Sequence, residues 1–251
     1  MKICFVCVSL RPGGTERIVS RMANHLVRKY HVTLVTLAAT ATFYPVAPKV
    51  EVVKPTFGAR SSEGFGWYGR LLRYLRLTFR KAKPDLVLCF GESIAPLVLP
   101  LSRLANARVL VFNRASPITS LRGMRGWINP IIYPLAHKVV VQTHASVELL
   151  RHRYRGCRFH VLPNPIDVPA EVLPMSCRDR VIINVGSLGG HKNQQGLIRA
   201  FGALNLNKRW RLDFVGDGPD RTRLEVLSES LGLVDRVRFL GKGDDVGTLL
   251  Q

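Results

Sequence analysis

The sequence predicts an α/β protein made of two doubly wound, parallel-sheet units, the second of them incomplete. Three observations carry that reading. Near-continuous apolar runs such as "DLVLCFG" and "KVVVQT" alternate with amphipathic stretches, the pattern of strands covered on both faces by helices. The stretch "LPNPIDVPAEVLPMSCRD" at 162–179 holds four prolines and no periodicity, which makes it a linker. Beyond it the same alternation restarts. The boundaries are therefore 1–165 for the first unit, 166–179 for the linker and 180–251 for the partial second unit.

The elements follow in order. The opening "MKICFVCVSLRPGG" reads as a strand over 2–9. Its apolar run is too short for a signal peptide, and an arginine and a Gly-Gly turn follow it where a cleavage site would lie. No run approaches the ~18–20 apolar residues of a membrane span, so the expected compartment is the cytosol. A helix over 15–29, strands at 31–37 and 50–55, and a helix over 67–82 come next. Strands at 85–91, 108–114 and 138–143 alternate with helices over 93–105 and 144–154. In the second unit the strands are 180–186, 210–215 and 236–240, with helices over 193–204 and 219–231. Five scattered cysteines, Cys4, Cys7, Cys89, Cys157 and Cys177, suit a reducing compartment. Cys4 and Cys7, three apart on one strand, point to opposite faces and read as buried thiols, not as a metal or disulfide pair.

Charge is spread unevenly. Residues 1–165 hold 25 Lys and Arg against 6 Asp and Glu, and the remainder holds 12 against 11. That asymmetry predicts an anionic partner for the first unit. The stretch "WYGRLLRYLRLTFRKAK" at 67–83 carries six cations and no acid. On a helical wheel Tyr68, Leu71, Leu72, Leu75 and Phe79 fall within one arc of about 100° and form the core face. Arg70, Arg73, Arg76, Arg80 and Lys81 lie opposite, with Tyr74 and Leu77 among them. Cations interleaved with apolar side chains suit an anionic membrane surface, while a plain solvated face is the alternative. No nucleic-acid module accompanies the charge, so nucleic acid is not expected as a partner.

Two glycine turns sit where α/β sheets hold ligands, beyond the carboxyl ends of strands. In "LRPGGTER" (10–17), Gly13 and Gly14 permit close approach of the backbone to another group, and Thr15 is placed to cap the next helix. In "VGSLGGHKN" (185–193), Gly189, Gly190 and the amides opening a helix at Asn193 form a phosphate site, with Lys192 adding a full charge. Each turn taken alone also fits a purely steric role. Neither is G-x-G-x-x-G or a P-loop. The seven histidines are scattered without zinc spacing, and no G-x-S-x-G elbow occurs.

Read in order, "GGTER", "PDLVLCFGES" (84–93), "VLVFNRASP" (109–117), "VVVQTHASVELL" (139–150), "VLPNPID" (161–167), "VGSLGGHKNQQGLIRAF" (185–201) and "LDFVGDGP" (212–219) resemble the retaining glycosyltransferases of family 4. Such enzymes have two Rossmann-like domains in the GT-B arrangement. The resemblance implies a nucleotide-diphosphate sugar held by the second domain, an acceptor held by the first, and no metal or other cofactor. Lys192 with the 189–193 backbone, His191 included, would hold the diphosphate, and Gly13 and Gly14 would face it. The turn Gly216–Asp217–Gly218 and Gly241–Lys242 lie where the family holds base and ribose. Arg114 stands where many members place a histidine. Ser187 replaces the first of the family's two diphosphate cations, leaving Lys192 alone. The family's Glu, seven residues and second Glu are absent after residue 200, since Glu225 and Glu229 are four apart. The chain therefore reads as truncated.

The expected function is transfer of a hexose or N-acetylhexosamine, with retention, to a lipid-linked or envelope-glycan acceptor at the inner face of a membrane. The alternatives are a non-catalytic remnant that binds anionic membrane or glycan through the first unit, and an epimerase of the same architecture.

Overall fold

The computed structural model describes residues 1–57, 66–114, 123–165, 174–189, 192–204 and 209–243. It divides into two units, Met1–Ile166 and Asp167–Gln251. In the first, the chain runs β1 (Lys2–Cys7), α1 (Gly14–Leu26), β2 (His31–Thr36), β3 (Glu51–Val53), α2 (Gly66–Ala82), β4 (Leu86–Phe90), α3 (Ala95–Leu104) and β5 (Arg108–Phe112). Then come α4 (Gly123–Ile132), a 3-10 turn at Tyr133–Leu135, β6 (Lys138–Val141), α5 (His144–Arg151) and β7 (Phe159–Val161). The second unit contains a 3-10 turn at Met175–Cys177, then β8 (Val181–Val185), α6 (Gln194–Ala203), β9 (Arg211–Val215), α7 (Arg221–Ser230) and β10 (Val237–Gly241).

The first sheet has seven parallel strands in the order β3-β2-β1-β4-β5-β6-β7. From β1 the chain steps outward to β3 and then returns to place β4 on the other side of β1. Cys7 at the end of β1 is thus flanked by Thr36 of β2 and Phe90 of β4. This reversal is the switch point at which a crevice opens beyond the strand ends. The three described strands of the second sheet, β10-β9-β8, are also parallel.

Side-chain alternation sends successive strand residues into two cores. Cys4, Val6, Val35, Val87, Cys89, Val109 and Val111 face one side, where Leu71, Leu75 and Phe79 of α2 and Val98 and Leu99 of α3 cover them. Ile3, Phe5, Cys7, Leu34, Phe90 and Phe112 face the other, against Ile18, Val19 and Ala23 of α1. Cys4 and Cys7 do lie on opposite faces, and all five cysteines are free. In the second unit Leu188, Ile198, Phe201, Leu212, Phe214, Leu224 and Val237 form a separate core.

Four expectations need correction. Tyr74 does not stand among the exposed cations of α2. It is half-buried against Phe57 with rings crossed at 82°, and its hydroxyl reaches the carbonyls of Val53 (3.0 Å) and Thr36 (3.1 Å). Thr36 and Val53 end β2 and β3, and their carbonyls are acceptors that a wheel cannot show. Leu72, assigned to the core, is exposed. Thr15 caps nothing: α1 begins one residue earlier, with Gly13 as its N-cap and no side-chain cap. Finally, α4 and β7 lie in stretches read as connections. β7 is a three-residue strand at the sheet edge, and α4 contains Gly126 and Pro130, residues that count against a helix.

Within α4, Pro130 has no N–H for the carbonyl of Gly126, four residues back. The Arg153 side chain donates to that carbonyl at 3.2 Å, and its guanidinium lies 5.4 Å from the Trp127 ring centroid. One arginine beyond the end of α5 therefore makes a proline-containing helix tenable.

Candidate functional site

At the switch point of the first sheet, the carboxyl ends of β1, β4 and β5 and the start of α1 enclose a cavity of about 270 Å³, lined by Cys7, Thr15, Glu16, Gly91, Glu92 and Arg114 among others. The sheet order puts these residues together from distant parts of the chain. Gly91, at φ +127, turns the chain out of β4 in a conformation reserved for glycine. Glu92 follows it and is 5 % exposed. Its carboxylate accepts the Arg114 amide N–H at 2.9 Å, and its main-chain carbonyl accepts from Asn129 at 3.4 Å. The Arg114 guanidinium donates to the Asn164 side chain. Burial lowers the Arg114 pKa from the ordinary arginine value, and the charge of Glu92 opposes that shift.

Gly13 is fully extended, with φ −179, so no left-handed conformation dictates glycine there. A β-carbon on Gly14 would meet nothing, and one on Gly13 would meet only the flexible Glu16 carboxylate. The chain's own packing does not account for this pair.

In the second unit, the loops after β8, β9 and β10 are stitched together at one sheet edge. Gly186 N–H bonds Val215 O at 2.9 Å, Leu188 N–H bonds Asp217 O at 3.1 Å, and Gly216 N–H bonds Gly241 O at 2.6 Å. Here glycine is obligatory. A β-carbon on Gly216 would lie 2.0 Å from Gly186 O, and one on Gly218 would lie 2.1 Å from Leu188 O.

The first loop is pinned from below. Leu188 is fully buried, and the buried Gln194 side chain donates to Ser187 O at 2.9 Å. Lys192 is left exposed, its N–H bonded to Gly189 O at 2.9 Å. Asn193 takes a left-handed conformation at the head of α6 and makes no side-chain cap. The positive end of α6 and the lysine are thus presented at the same edge, the arrangement that suits a phosphate.

Ser187, Gly189, Lys192, Asn193, Gly216, Asp217, Gly218 and Lys242, singled out in the sequence, follow these strands, and Gly241 ends β10. Gly190 and His191 lie outside the described residues. Three further residues carry no sequence signal of their own. Glu92 and Asn164 grip Arg114 across 22 and 50 residues. Arg221 bridges Phe239 O at 3.2 Å and Glu225 at 2.8 Å, which sets a second cation beside Gly241. Among the described residues no group of three or more His, Cys, Asp and Glu side chains converges as a metal site, and no helix is long and apolar enough to cross a membrane.

Residues 12–169 match Glycosyltransferase Family 4, and residues 171–251 match Glycosyl transferases group 1. A curated relative from Campylobacter jejuni is the GalNAc-alpha-(1->4)-GalNAc-alpha-(1->3)-diNAcBac-PP-undecaprenol alpha-1,4-N-acetyl-D-galactosaminyltransferase. It is 23 % identical over 263 residues, which cover 100 % of this chain and 70 % of the relative. The solved lipopolysaccharide outer core galactosyltransferase WaaB superposes with TM-score 0.71 at 17 % identity, over 97 % of this chain and 69 % of its own. HepE of Anabaena, solved with UDP and glucose, gives TM-score 0.75 at 19 % identity, over 99 % and 71 %. The fold is that of two Rossmann-like units, as in these GT-B structures.

Proposed function

Since the chain belongs to glycosyltransferase family 4, we propose that it transfers a hexose or N-acetylhexosamine from a nucleoside-diphosphate sugar to a lipid-linked or envelope-glycan acceptor, with retention at the anomeric carbon. The observation that carries this reading is the edge of β8–β10, where Lys192, the uncapped start of α6 and the glycine turns at 216–218 and 241 meet. The leaving group of the reaction is a nucleoside diphosphate, and its developing charge is offset by the Lys192 ammonium and the α6 amides. These groups supply the positive charge that a divalent ion supplies in other transferases, so no metal is part of the proposal. Asp217, Gly218, Gly241 and Lys242 line the side for base and ribose.

The first unit takes the acceptor. Arg114, held by Glu92 and Asn164, sits in the switch-point crevice, and Gly13 and Gly14 leave room for a ligand's approach. The undecaprenol-linked substrate in the name of the Campylobacter relative supports an acceptor on a lipid carrier. Leu72 and Leu77 stand exposed among the cations of α2, while Leu104, Trp127 and Ile131 are exposed on α3 and α4. They support a peripheral seat on the inner face of an anionic membrane.

The test is titration of the 251-residue chain with UDP, ADP and GDP sugars, followed by transfer to a diphospho-undecaprenol-linked saccharide. Lys192→Ala is expected to weaken nucleotide binding at least tenfold and to cut turnover by about 10²–10³. Turnover within a few-fold of the wild type would remove Lys192 from the diphosphate site.

A further inference from the structure

At the amino-terminal ends of the strands of the first sheet, where β5, β6 and β7 begin, lies a cavity of about 670 Å³ that the proposed reaction does not use. Its wall comes from the end of α3, the 3-10 turn before β6 and the turn after α5. Arg103, Arg108, His137 and Arg158 line it, and no acidic residue does. Because the strands are parallel and β5 spans Arg108–Phe112, this cavity and the Arg114 crevice lie at opposite ends of one strand, roughly 15 Å apart at ~3.3 Å per residue.

Elsewhere in the molecule arginines near acids pair with them. Arg151 meets Glu148, Arg211 meets Asp179 and Asp213, Arg221 meets Glu225, and Arg238 meets Asp213. Among the described residues, the side chains of Arg103, Arg108 and Arg158 enter no ion pair and no side-chain hydrogen bond. The neighbouring Asp85 carboxylate is taken by the Lys2 amide at 2.7 Å. Three arginines thus line one concavity whose wall holds no acidic side chain, a local excess of positive charge that an incoming anion would offset. The negative pole of α3 does not compete for the space. Three of its last four carbonyls, on Leu101, Ser102 and Arg103, accept from the amides of Ala105, Asn106 and Ala107 at 2.9–3.1 Å. Asn106 and Gly156, both in left-handed conformations with φ 56 and 76, turn the chain at the cavity wall.

We propose that this cavity is a second anion site that binds a phosphate group, distinct from the donor-diphosphate site and at the opposite ends of the strands from the crevice. Planar guanidinium groups match phosphate oxygens two at a time, and three of them around one cavity select a multiply charged phosphate over a lone carboxylate. The phosphate is carried either by a soluble phosphorylated molecule or by the headgroup of an anionic lipid, and the two sources are separable.

The experiment is arginine footprinting of the intact chain with phenylglyoxal, read residue by residue by mass spectrometry. It is run with inorganic pyrophosphate, with phosphatidylglycerol vesicles and with phosphatidylcholine vesicles. The expected result is at least fivefold protection of Arg103, Arg108 and Arg158 relative to the exposed Arg199 and Arg223. Protection by pyrophosphate identifies a soluble phosphate, and protection by phosphatidylglycerol vesicles alone identifies the lipid headgroup. Equal modification of all five arginines under every condition overturns the site. The double variant Arg108→Gln/Arg158→Gln changes only exposed side chains, and its melting temperature serves as the folding check. It is expected to weaken binding of the protecting probe at least tenfold and to leave nucleotide binding at Lys192 unchanged. Unweakened binding of that probe by the double variant would equally overturn the proposal.

Discussion

The Glu92 carboxylate ties the end of β4 to the residue after β5 by accepting the Arg114 amide N–H, and the contribution of that bond to the switch-point crevice can be measured. Glu92→Ala leaves a sheltered N–H without its acceptor, at a cost of about 1–3 kcal/mol, read as a lower urea midpoint. Glu92→Gln keeps an acceptor oxygen and is expected to recover most of that loss, though not the charge opposite the Arg114 guanidinium. An alanine variant as stable as the wild type would show that the bond contributes nothing. Arg114 was visible in "VLVFNRASP", but Glu92 was not, because only the pairing of β4 with β5 brings the two together.

The thiols set a second test at the same scale. Burial pushes Cys4 and Cys7 up to about 12, with Glu51 and Glu16 adding to the respective shifts, and it raises Cys89 in the same direction. Between the ordinary thiol value near 9.0 and about 12, the unfolded chain has released protons that the native one keeps. Stability is therefore full below that window and falls as pH rises through it. The melting temperature should hold steady to about pH 8.5 and decline above 9, with a shallower decline in Cys7→Ala. An identical slope in that variant would mean that other groups, such as buried tyrosines, dominate.

Among the elements, α4 depends most on a residue outside itself. Arg153→Ala removes the donor that replaces the missing Pro130 N–H and leaves the Gly126 carbonyl, on a buried residue, unpaired. It also removes the cation over Trp127. The expected loss is about 1–3 kcal/mol, measured by chemical denaturation, and Arg153→Ala/Pro130→Ala should regain part of it by restoring the helical N–H. No regain would mean that the Gly126 carbonyl is not the source of the loss. The same helix marks the limit of what periodicity can reveal. Most strands and the helices between them were legible, because burial on both faces imposes apolar runs that local sequence must show. In α4, glycine and proline read as punctuation, and the compensation comes from Arg153, 23 residues beyond the proline. The donor edge was legible for the opposite reason: its glycines are forced by approaches of 2.0 and 2.1 Å to carbonyl oxygens, and such constraints leave their residue type in the sequence. Tyr74 was misread because a wheel gives only an angle, whereas its hydroxyl is held by carbonyls at the ends of β2 and β3.

At the scale of the whole molecule, the excess of positive charge lies almost entirely in the first unit, with 25 cations against 6 acids in residues 1–165. A charge excess of this size attracts any anionic surface, so attraction alone does not locate a contact. Salt separates the two effects. Raising ionic strength from 0.1 to 1 M shortens the Debye length from about 10 Å to 3 Å, which removes long-range attraction and leaves apolar insertion. Arg73, Arg76, Leu77 and Arg80 are exposed on α2, whose opposite face is fixed in the core by Leu71, Leu75 and Phe79. Charge and insertion can therefore be changed independently, without touching the packing. The full chain should sediment with phosphatidylglycerol vesicles at low salt and not with phosphatidylcholine vesicles. Arg73→Gln/Arg76→Gln/Arg80→Gln should lower the affinity by roughly 1 kcal/mol per charge removed, and Leu77→Ser should reduce the binding that persists at high salt. If the triple variant binds as well as the wild type while the Arg108/Arg158 variant loses binding, the membrane-facing surface lies at the amino-terminal ends of the strands and not on α2.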